Sequence, residues 1–419
     1  MTEDGKFKVV VLSDHALSTS GVGTQTRHLI EGLLKKGNWS FRQFGAALKH
    51  TDYRTVVVND DFVIKPIDGF GNPDLIRVTL ATEKPDLLFI FTDPRFFTWL
   101  FDMEDEVHQI CPIVWWHVWD NYPYPEFNNA FYDATDLINC HSHLTYTMIK
   151  DKDEYKNKTN FIPHSLPDHL FFKMENEKIK QHKINLLGED RLDHFVGIWV
   201  NRNAKRKRPA DVLMSWKIFL EKEEDATGNR NSILIMHTDP NDTEGPNLFR
   251  VAESLDIVDN VYFSTDRMEF DKMNVLYNIS DICLNISFAE GFGLSTLEAM
   301  QTGTPIVAVC TGGLTRQVVD HRDKSENGVA LPVELSTLVG SQLVPYIYED
   351  YTTCETVAKG IFKIFNMSEK EKIALSSKVE NYAHECFSLD DTIDKWDKTL
   401  RSTIKNWKKE YKRWELIEI

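Results

Sequence analysis

Short apolar runs, each followed by a polar loop and then an amphipathic stretch, recur along this chain, the pattern of parallel strands connected by helices. The opening repeat sets the template. Residues 7–12 predict a buried strand, 13–20 a polar loop, and 22–36 a helix with Leu29, Ile30, Leu33 and Leu34 on its apolar face and Gly37 ending it. Further strands are predicted at 55–58, 87–91, 113–116, 137–139 and 160–162. A polar stretch over 175–193 then interrupts the pattern, which restarts with a strand at 194–200, a helix from 209 to 221 and a strand at 232–236. Strands at 261–263, 282–286 and 305–309 follow, and the remainder is predicted to be helical. The expectation is an α/β protein of two Rossmann-like doubly wound domains, residues 1–185 and 186–385, with C-terminal helices over 386–419 packing back on the first. In such sheets ligands bind beyond the carboxyl ends of the strands, so the loops after the strands carry the functional signal.

A length of 419 residues fits roughly two to three domains. Aspartate and glutamate outnumber lysine and arginine 64 to 48, a net charge of −16, so the surface as a whole repels polyanions and a nucleic-acid partner is not expected. An anionic ligand needs a local basic site. The polar, acidic start and the shortness of the apolar runs predict neither export nor a membrane span. Six scattered cysteines without a C-x-x-C pair fit free thiols in a reducing cytoplasm.

The most informative stretch is Ser287-Phe288-Ala289-Glu290-Gly291-Phe292-Gly293-Leu294-Ser295-Thr296-Leu297-Glu298, set between a predicted strand and a predicted helix. Gly291 and Gly293 allow close approach of the backbone to a ligand, and the N–H groups that open the helix suit a phosphate. Glu290 lies in the loop and Glu298 in the first helical turns, so both carboxylates are candidates for hydroxyl recognition. Ser295-x-x-Glu298 also fits a capping box, which would make Glu298 structural.

This segment resembles the Glu-x7-Glu motif of the retaining nucleotide-sugar glycosyltransferases of family 4, which have the GT-B fold of two facing Rossmann-like domains. The resemblance implies that Glu290 contacts donor-sugar hydroxyls, that Glu298 contacts the nucleotide ribose, and that Phe292, Gly293, Leu294 and Ser295 hold the sugar and diphosphate. A second element, Arg202-Asn203-Ala204-Lys205-Arg206-Lys207, resembles the family's Arg-x4-Lys pair. Arg202 and Lys207 would then neutralise the leaving diphosphate, as a divalent metal does in other transferases. Lys205 and Arg206 are alternatives to Lys207, and a solvated charge run is the plain reading of the whole cluster. Cys310-Thr311-Gly312-Gly313-Leu314 resembles the family's glycine pair beside the donor, and His237-Thr238-Asp239 ends a strand on the same face.

In the first domain, Gly21 and Gly23 open the first helix and match the family's glycine loop, but they lack the third glycine of a dinucleotide fingerprint. His117 ends a predicted strand. By itself it is either a satisfied structural histidine or a site residue, and the resemblance implies a place close to the reacting sugar, with Asp120 nearby for the acceptor. Eight aromatics between 115 and 132 either pack the core or form a sugar platform. Pro163-His164-Ser165 departs from the family's usual Pro-His-Gly or Pro-Asn-Gly. Cys140-His141-Ser142-His143 lacks a second ligand pair for zinc, and Asp151-Lys152-Asp153 sits in a charged run, so no metal and no cofactor are expected.

From Trp396, Leu400, Ile404, Trp407, Tyr411 and Trp414 form one apolar helical stripe, with Lys395, Lys398, Arg401, Lys405, Lys408, Lys409, Lys412 and Arg413 on the other positions. This helix either covers the first domain or lies on an anionic membrane. Taken together, the resemblance implies a glycosyltransferase that moves a sugar from a UDP-, GDP- or ADP-sugar to a glycan, lipid or other acceptor with retention of configuration and without a metal. A sugar-nucleotide epimerase and a non-catalytic nucleotide-sugar binder are the alternatives on the same scaffold.

Overall fold

Alternating strands and helices assemble into two α/β units in the computed structural model, which describes residues 5–48 and 51–410, the side chain of Glu410 excepted. One unit takes the chain up to Ser165, Gly340–Tyr346 and the segment from Leu389. The other takes Leu166–Val339 and Ile347–Ser388.

The first unit is built on β1 (Phe7–Asp14), β2 (Trp39–Ala46), β3 (Val56–Asn59), β4 (Phe62–Pro66), β5 (Leu87–Thr92), β6 (Ile113–His117), β7 (Leu137–Cys140) and β8 (Thr159–Phe161). They form one sheet in the order β3-β4-β2-β1-β5-β6-β7-β8, parallel throughout except for β3 against β4. The order reverses direction between β1 and β5. β2 and β4 are additions to the strands read from the sequence. Arg42 and Gln43 interrupt the apolar run of β2, yet Gln43 is buried and its carboxamide nitrogen donates to Ser13 Oγ (2.7 Å) and to the Asp14 carbonyl (2.8 Å). A buried polar network therefore replaces the apolar periodicity that a sequence search uses.

The second unit holds β9 (Val196–Val200), β10 (Ile233–His237), β11 (Val261–Ser264), β12 (Ile282–Asn285), β13 (Ile306–Val309) and β14 (Gly328–Leu331), all parallel, in the order β11-β10-β9-β12-β13-β14. Residues 166–185, assigned to the first domain by sequence, lie in this unit: Leu166 and Phe171 are buried in its core with Ile198, Ile235 and Met300. The expectation of helix alone after 309 is also corrected. β14 pairs with β13, and Gly328 (φ +139°) passes so close that a Cβ would stand 2.0 Å from the Ile306 carbonyl oxygen. β15 (Leu335–Val339) and β16 (Ile347–Tyr351) then form an antiparallel pair. β14 opens on Gly328 and holds only Val329 and Leu331 as large apolar residues, and β15 is exposed along most of its length.

The helix Leu389–Glu410 belongs to the first unit. Its stripe of Ile393, Trp396, Leu400 and Ile404 is buried in that unit's core beside Leu29, Phe89 and Trp116. Trp396 packs edge-on to Phe89 (5.4 Å) and Trp116 (5.1 Å). Gly32 makes the close helix crossing, since a Cβ there would come within 2.4 Å of Ile393. The stripe from Ile393 to Ile404 thus faces the protein interior, which leaves membrane contact through it without support; Tyr411, Lys412, Arg413 and Trp414 lie outside the described residues. Among the described residues no helix is long and apolar enough to cross a membrane.

Trp396→Ala deletes a fully buried indole and is expected to destabilise the first unit by about 3–5 kcal/mol. Urea denaturation followed by near-ultraviolet circular dichroism checks it. A loss under 1 kcal/mol contradicts the packing described.

Candidate functional site

In the second unit the strand order reverses between β9 and β12, which are neighbours, so the loops after them diverge and leave a crevice at their carboxyl ends. The basic cluster follows β9 and the Glu-x7-Glu segment follows β12. One backbone and one side-chain hydrogen bond tie the two loops: Phe288 N–H donates to the Arg206 carbonyl (3.2 Å), and Arg206 Nη1 donates to the Ala289 carbonyl (2.6 Å). Asn203, fully buried, anchors the basic loop by donating to the carbonyls of Pro240 (3.3 Å) and Pro246 (2.9 Å).

Glu290 is 7% exposed, and Lys207 Nζ is ion-paired with its Oε2 while Arg206 Nη1 lies 3.5 Å from the same oxygen. Burial alone would push this carboxyl up. Lys207 and then Arg206 outweigh burial and hold it down at about 2. Of the basic candidates, the structure thus brings Arg206 and Lys207 to the acid. Lys205 is exposed, and Arg202, 61% exposed, makes a two-point pair with Asp242 (2.7 and 3.1 Å).

The helix after β12 is Leu294–Gln301, and its N-cap is Gly293 in the left-handed region (φ +91°), with no side chain capping the first turn. Ser295 is therefore the second helical residue, and the capping-box reading of Ser295 and Glu298 fails on geometry. The uncapped N-terminus carries the positive end of the helix dipole toward the loop. Phe292 is buried, while Leu294 and Ser295 are half-buried. Glu298 accepts a hydrogen bond from Tyr277 Oη (2.6 Å), and burial raises its pKa to about 7 against the lowering effect of that bond. His237, at the end of β10, bonds Ser264 Oγ through Nδ1 (2.9 Å).

The glycine pair has a sharper role than a turn. Gly313 N–H donates to the Glu290 carbonyl (2.7 Å), and a Cβ on Gly313 would stand 2.3 Å from the Gly291 oxygen and 2.4 Å from Phe292 Cα. Only glycine lets this strand end support the Glu290 loop. Asp350 adds a second brace, its N–H donating to the Phe288 carbonyl (2.8 Å) and its carboxylate accepting from Thr311 and Ser336 (both 2.6 Å). Arg206, Asp350 and Tyr277 were not legible in the sequence as site neighbours; the Arg206 side chain was one of three interchangeable cations there.

In the first unit, Ser20 caps the helix Gly21–Lys35 and accepts from the Gly23 N–H (2.9 Å), so one of the donors expected for an anion is already bonded. Ser20 Oγ in turn donates to Asp14 Oδ2 (2.6 Å). Gly21 is exposed, and Gly23 is buried with a Cβ position 2.3 Å from Ser18 Oγ. His117, at the end of β6, is fully buried, shares a hydrogen bond with Tyr132 Oη (2.7 Å) and stacks on Trp115 at 4.1 Å. Burial, reinforced by His141, lowers its pKa to about 3, so the imidazole is neutral. Of the aromatic run, Trp115, Trp116, Trp119 and Tyr132 are buried and Tyr122 is 48% exposed. His141 stacks on His164 at 4.4 Å, whereas His143 packs on Phe161 and Tyr146, so the Cys-His-Ser-His run does not converge.

The family described as Glycosyl transferases group 1 matches residues 188–338, the stretch that contains both site loops. The chain has the GT-B fold, and the stretch that this family model matches lies in its second unit. It is 24% identical over 257 residues to N-acetyl-alpha-D-glucosaminyl L-malate synthase of Bacillus anthracis, covering 59% of this chain and 61% of that relative. The chain thus spans about three fifths of that relative's length. Sucrose-phosphate synthase from Thermosynechococcus elongatus has the same fold, with a TM-score of 0.73 at 14% identity over 96% of this chain and all of the other. Anabaena Alr3699/HepE, solved in complex with UDP and glucose, gives 0.68 at 16% identity over 94% of this chain and all of the other.

Lys207→Met leaves Glu290 buried with Arg206 as its nearer cation, so the carboxyl pKa rises from about 2 and the second unit loses about 3 kcal/mol at pH 7. Because a depressed carboxyl stabilises above its unfolded pKa and loses that contribution as pH falls through the folded one, the wild type also weakens between about pH 4.5 and 2. Lys207→Met/Glu290→Gln is expected to recover part of the loss. Thermal unfolding of both variants checks the coupling, and strictly additive losses contradict it.

Proposed function

We propose that this protein transfers a glycosyl residue from a nucleoside-diphosphate sugar to an acceptor hydroxyl with retention of configuration, and that the second unit holds the donor. The observation that carries the reading is the convergence of Lys207 and Arg206 on Glu290 beside the Gly293 loop. Cations suited to a diphosphate and an acid suited to sugar hydroxyls share one hydrogen-bonded cluster. On donor binding, the phosphate oxygens take over Lys207 and Arg206, and Glu290 turns its lone pairs to the sugar hydroxyls. Arg202 adds charge at the rim, and Glu298 accepts from the ribose.

In the reaction the bond from the anomeric carbon to the diphosphate oxygen breaks as the acceptor oxygen attacks from the same face. The acceptor proton passes to the leaving phosphate oxygen, so no protein base is required. The cations stabilise the charge that develops on the diphosphate, a preorganised electrostatic contribution. His117, fully buried with Nε2 bonded to Tyr132 Oη, is not counted among the sugar contacts in this reading. The structural neighbour solved with UDP and glucose supports a uridine nucleotide as the first donor to test. Six cysteine thiols support a cytoplasmic setting.

The test is release of nucleoside diphosphate from UDP-, GDP- and ADP-sugars in the presence of a chelator and an acceptor mixture. One donor is expected to turn over, with Glu290→Ala and Lys207→Ala slowing it by about 10²-fold or more, and with the product anomer matching the donor by proton NMR. An inverted anomer, or full activity in both variants, contradicts the reading.

A pH dependence follows from Glu298. Its raised pKa means that the protonated form stabilises the fold at low pH and that this contribution is lost as pH rises through about 7. Ribose recognition by the ionised carboxylate runs the opposite way. UDP affinity is expected to tighten several-fold between pH 6 and 8 in the wild type beyond whatever Glu298→Gln shows, since the ligand's own phosphate ionisation is common to both. Identical profiles by titration calorimetry contradict the assignment.

A further inference from the structure

Four residues beyond Gly313, Gln317 is fully buried in the short helix Thr315–Val318 and touches the donor loop at three points. Its Nε2 donates to the Phe292 carbonyl (2.6 Å) and to the Gly293 carbonyl (3.1 Å), while its Oε1 accepts from Thr296 Oγ1 (2.5 Å). Thr296 Oγ1 also lies 2.7 Å from the Gly293 carbonyl, so its single proton is shared between that oxygen and Gln317 Oε1. The main chain of Gln317 is pinned as well, by Asn327 Nδ2 on its carbonyl (2.8 Å).

In a trans peptide the N–H points opposite to the C=O of the same plane. With the carbonyls of Phe292 and Gly293 both directed at Gln317, the N–H groups of Gly293 and Leu294 are turned to the opposite side of the loop. These are the amides that open the uncapped helix Leu294–Gln301. A carboxamide is the group that fits here, because it donates to two carbonyls and accepts from a hydroxyl at once. A carboxylate would face two carbonyl oxygens with negative charge, and an apolar side chain would leave three buried polar groups without this partner.

We propose that Gln317 is a positioning residue for the donor phosphates: it fixes the orientation of the Gly293 and Leu294 amides that bind them. This rests on the donor reading given above. The residue does not touch the donor; it acts through the loop. Its loss therefore weakens recognition of the outer phosphate more than recognition of the nucleoside.

The experiment compares UDP with UMP by titration calorimetry in the wild type and in Gln317→Met, which keeps the side-chain length and removes the carboxamide. The wild type is expected to prefer UDP, and the preference is expected to fall about ten-fold in the variant, a loss comparable with one or two hydrogen bonds to a charged group. General loosening of the fold would weaken both ligands by the same factor, and an unchanged UDP-to-UMP ratio overturns the proposal. If Gln317→Met does not fold, Thr296→Val, which removes only the hydroxyl on Oε1, is expected to lower the ratio about three-fold, and an unchanged ratio there overturns the proposal equally. If wild-type protein binds none of UDP, GDP and ADP, the donor reading itself falls, and with it the premise for Gln317.

Discussion

A carboxylate nine-tenths buried in a protein must be neutralised in place, and much of the second unit is arranged around that requirement at Glu290. The neutralising cations come from the loop after β9 and the acid from the loop after β12, so the pair forms only if those strands are neighbours. The strand order supplies this, since β9 and β12 adjoin where the sheet reverses direction. A buried pair of this kind contributes little net stability once desolvation is counted, and removing one partner is costly. Its retention at the carboxyl ends of two central strands is therefore better explained by what the two charges do for a ligand than by what they do for the fold.

Around this pair the backbone is held by contacts that leave little freedom. Gly313 admits the strand end against Gly291, Gly293 supplies the left-handed turn, and Asp350 braces Phe288 from the β15–β16 hairpin. Rigid placement of main-chain amides is what an anion site needs, because amide dipoles help only if they already point at the charge. Catalytic power in such a site lies as much in the supporting hydrogen bonds as in the charged side chains.

How much of this was legible in the sequence depends on the kind of signal each part leaves. The strand-helix alternation, the Glu290 and Glu298 spacing and the basic cluster were all readable, because each is local and each recurs within a short window. β2 escaped because Gln43 is buried through hydrogen bonds and not through apolar character, and β14 because it opens on Gly328 and holds only two large apolar residues. The boundary at residue 166 was hidden because the polar helix Asn176–Leu187 looks like a linker while Leu166 and Phe171 bury themselves in the second core. Long-range partners were invisible in principle. Nothing in the spacing of Arg202, Lys205, Arg206 and Lys207 says that Asp242 takes the first and Glu290 the last two. The Ser295-x-x-Glu298 pattern misled for the same reason, since the turn that places the helix start at Gly293 is imposed by Gly313, Leu314 and Gln317 from another strand end.

The two carboxylates of the motif, eight positions apart, end in opposite states, Glu290 buried and Glu298 half-buried. Glu290 faces two cations and stays ionised down to about pH 2; Glu298 has a phenol for a partner and holds its proton up to about pH 7. Burial acts in the same direction on both, so the difference is set by the neighbours alone. One motif thereby presents a permanent anion at one end and a group poised between acceptor and donor at the other. On the proposed donor reading, the permanent anion is matched to cations that a diphosphate would withdraw, and phosphate binding would release Glu290 to accept hydroxyls. The poised group needs no such trigger, and on that same reading the asymmetry would order recognition: phosphate engagement before the sugar contact, with the Glu298 contact set by pH.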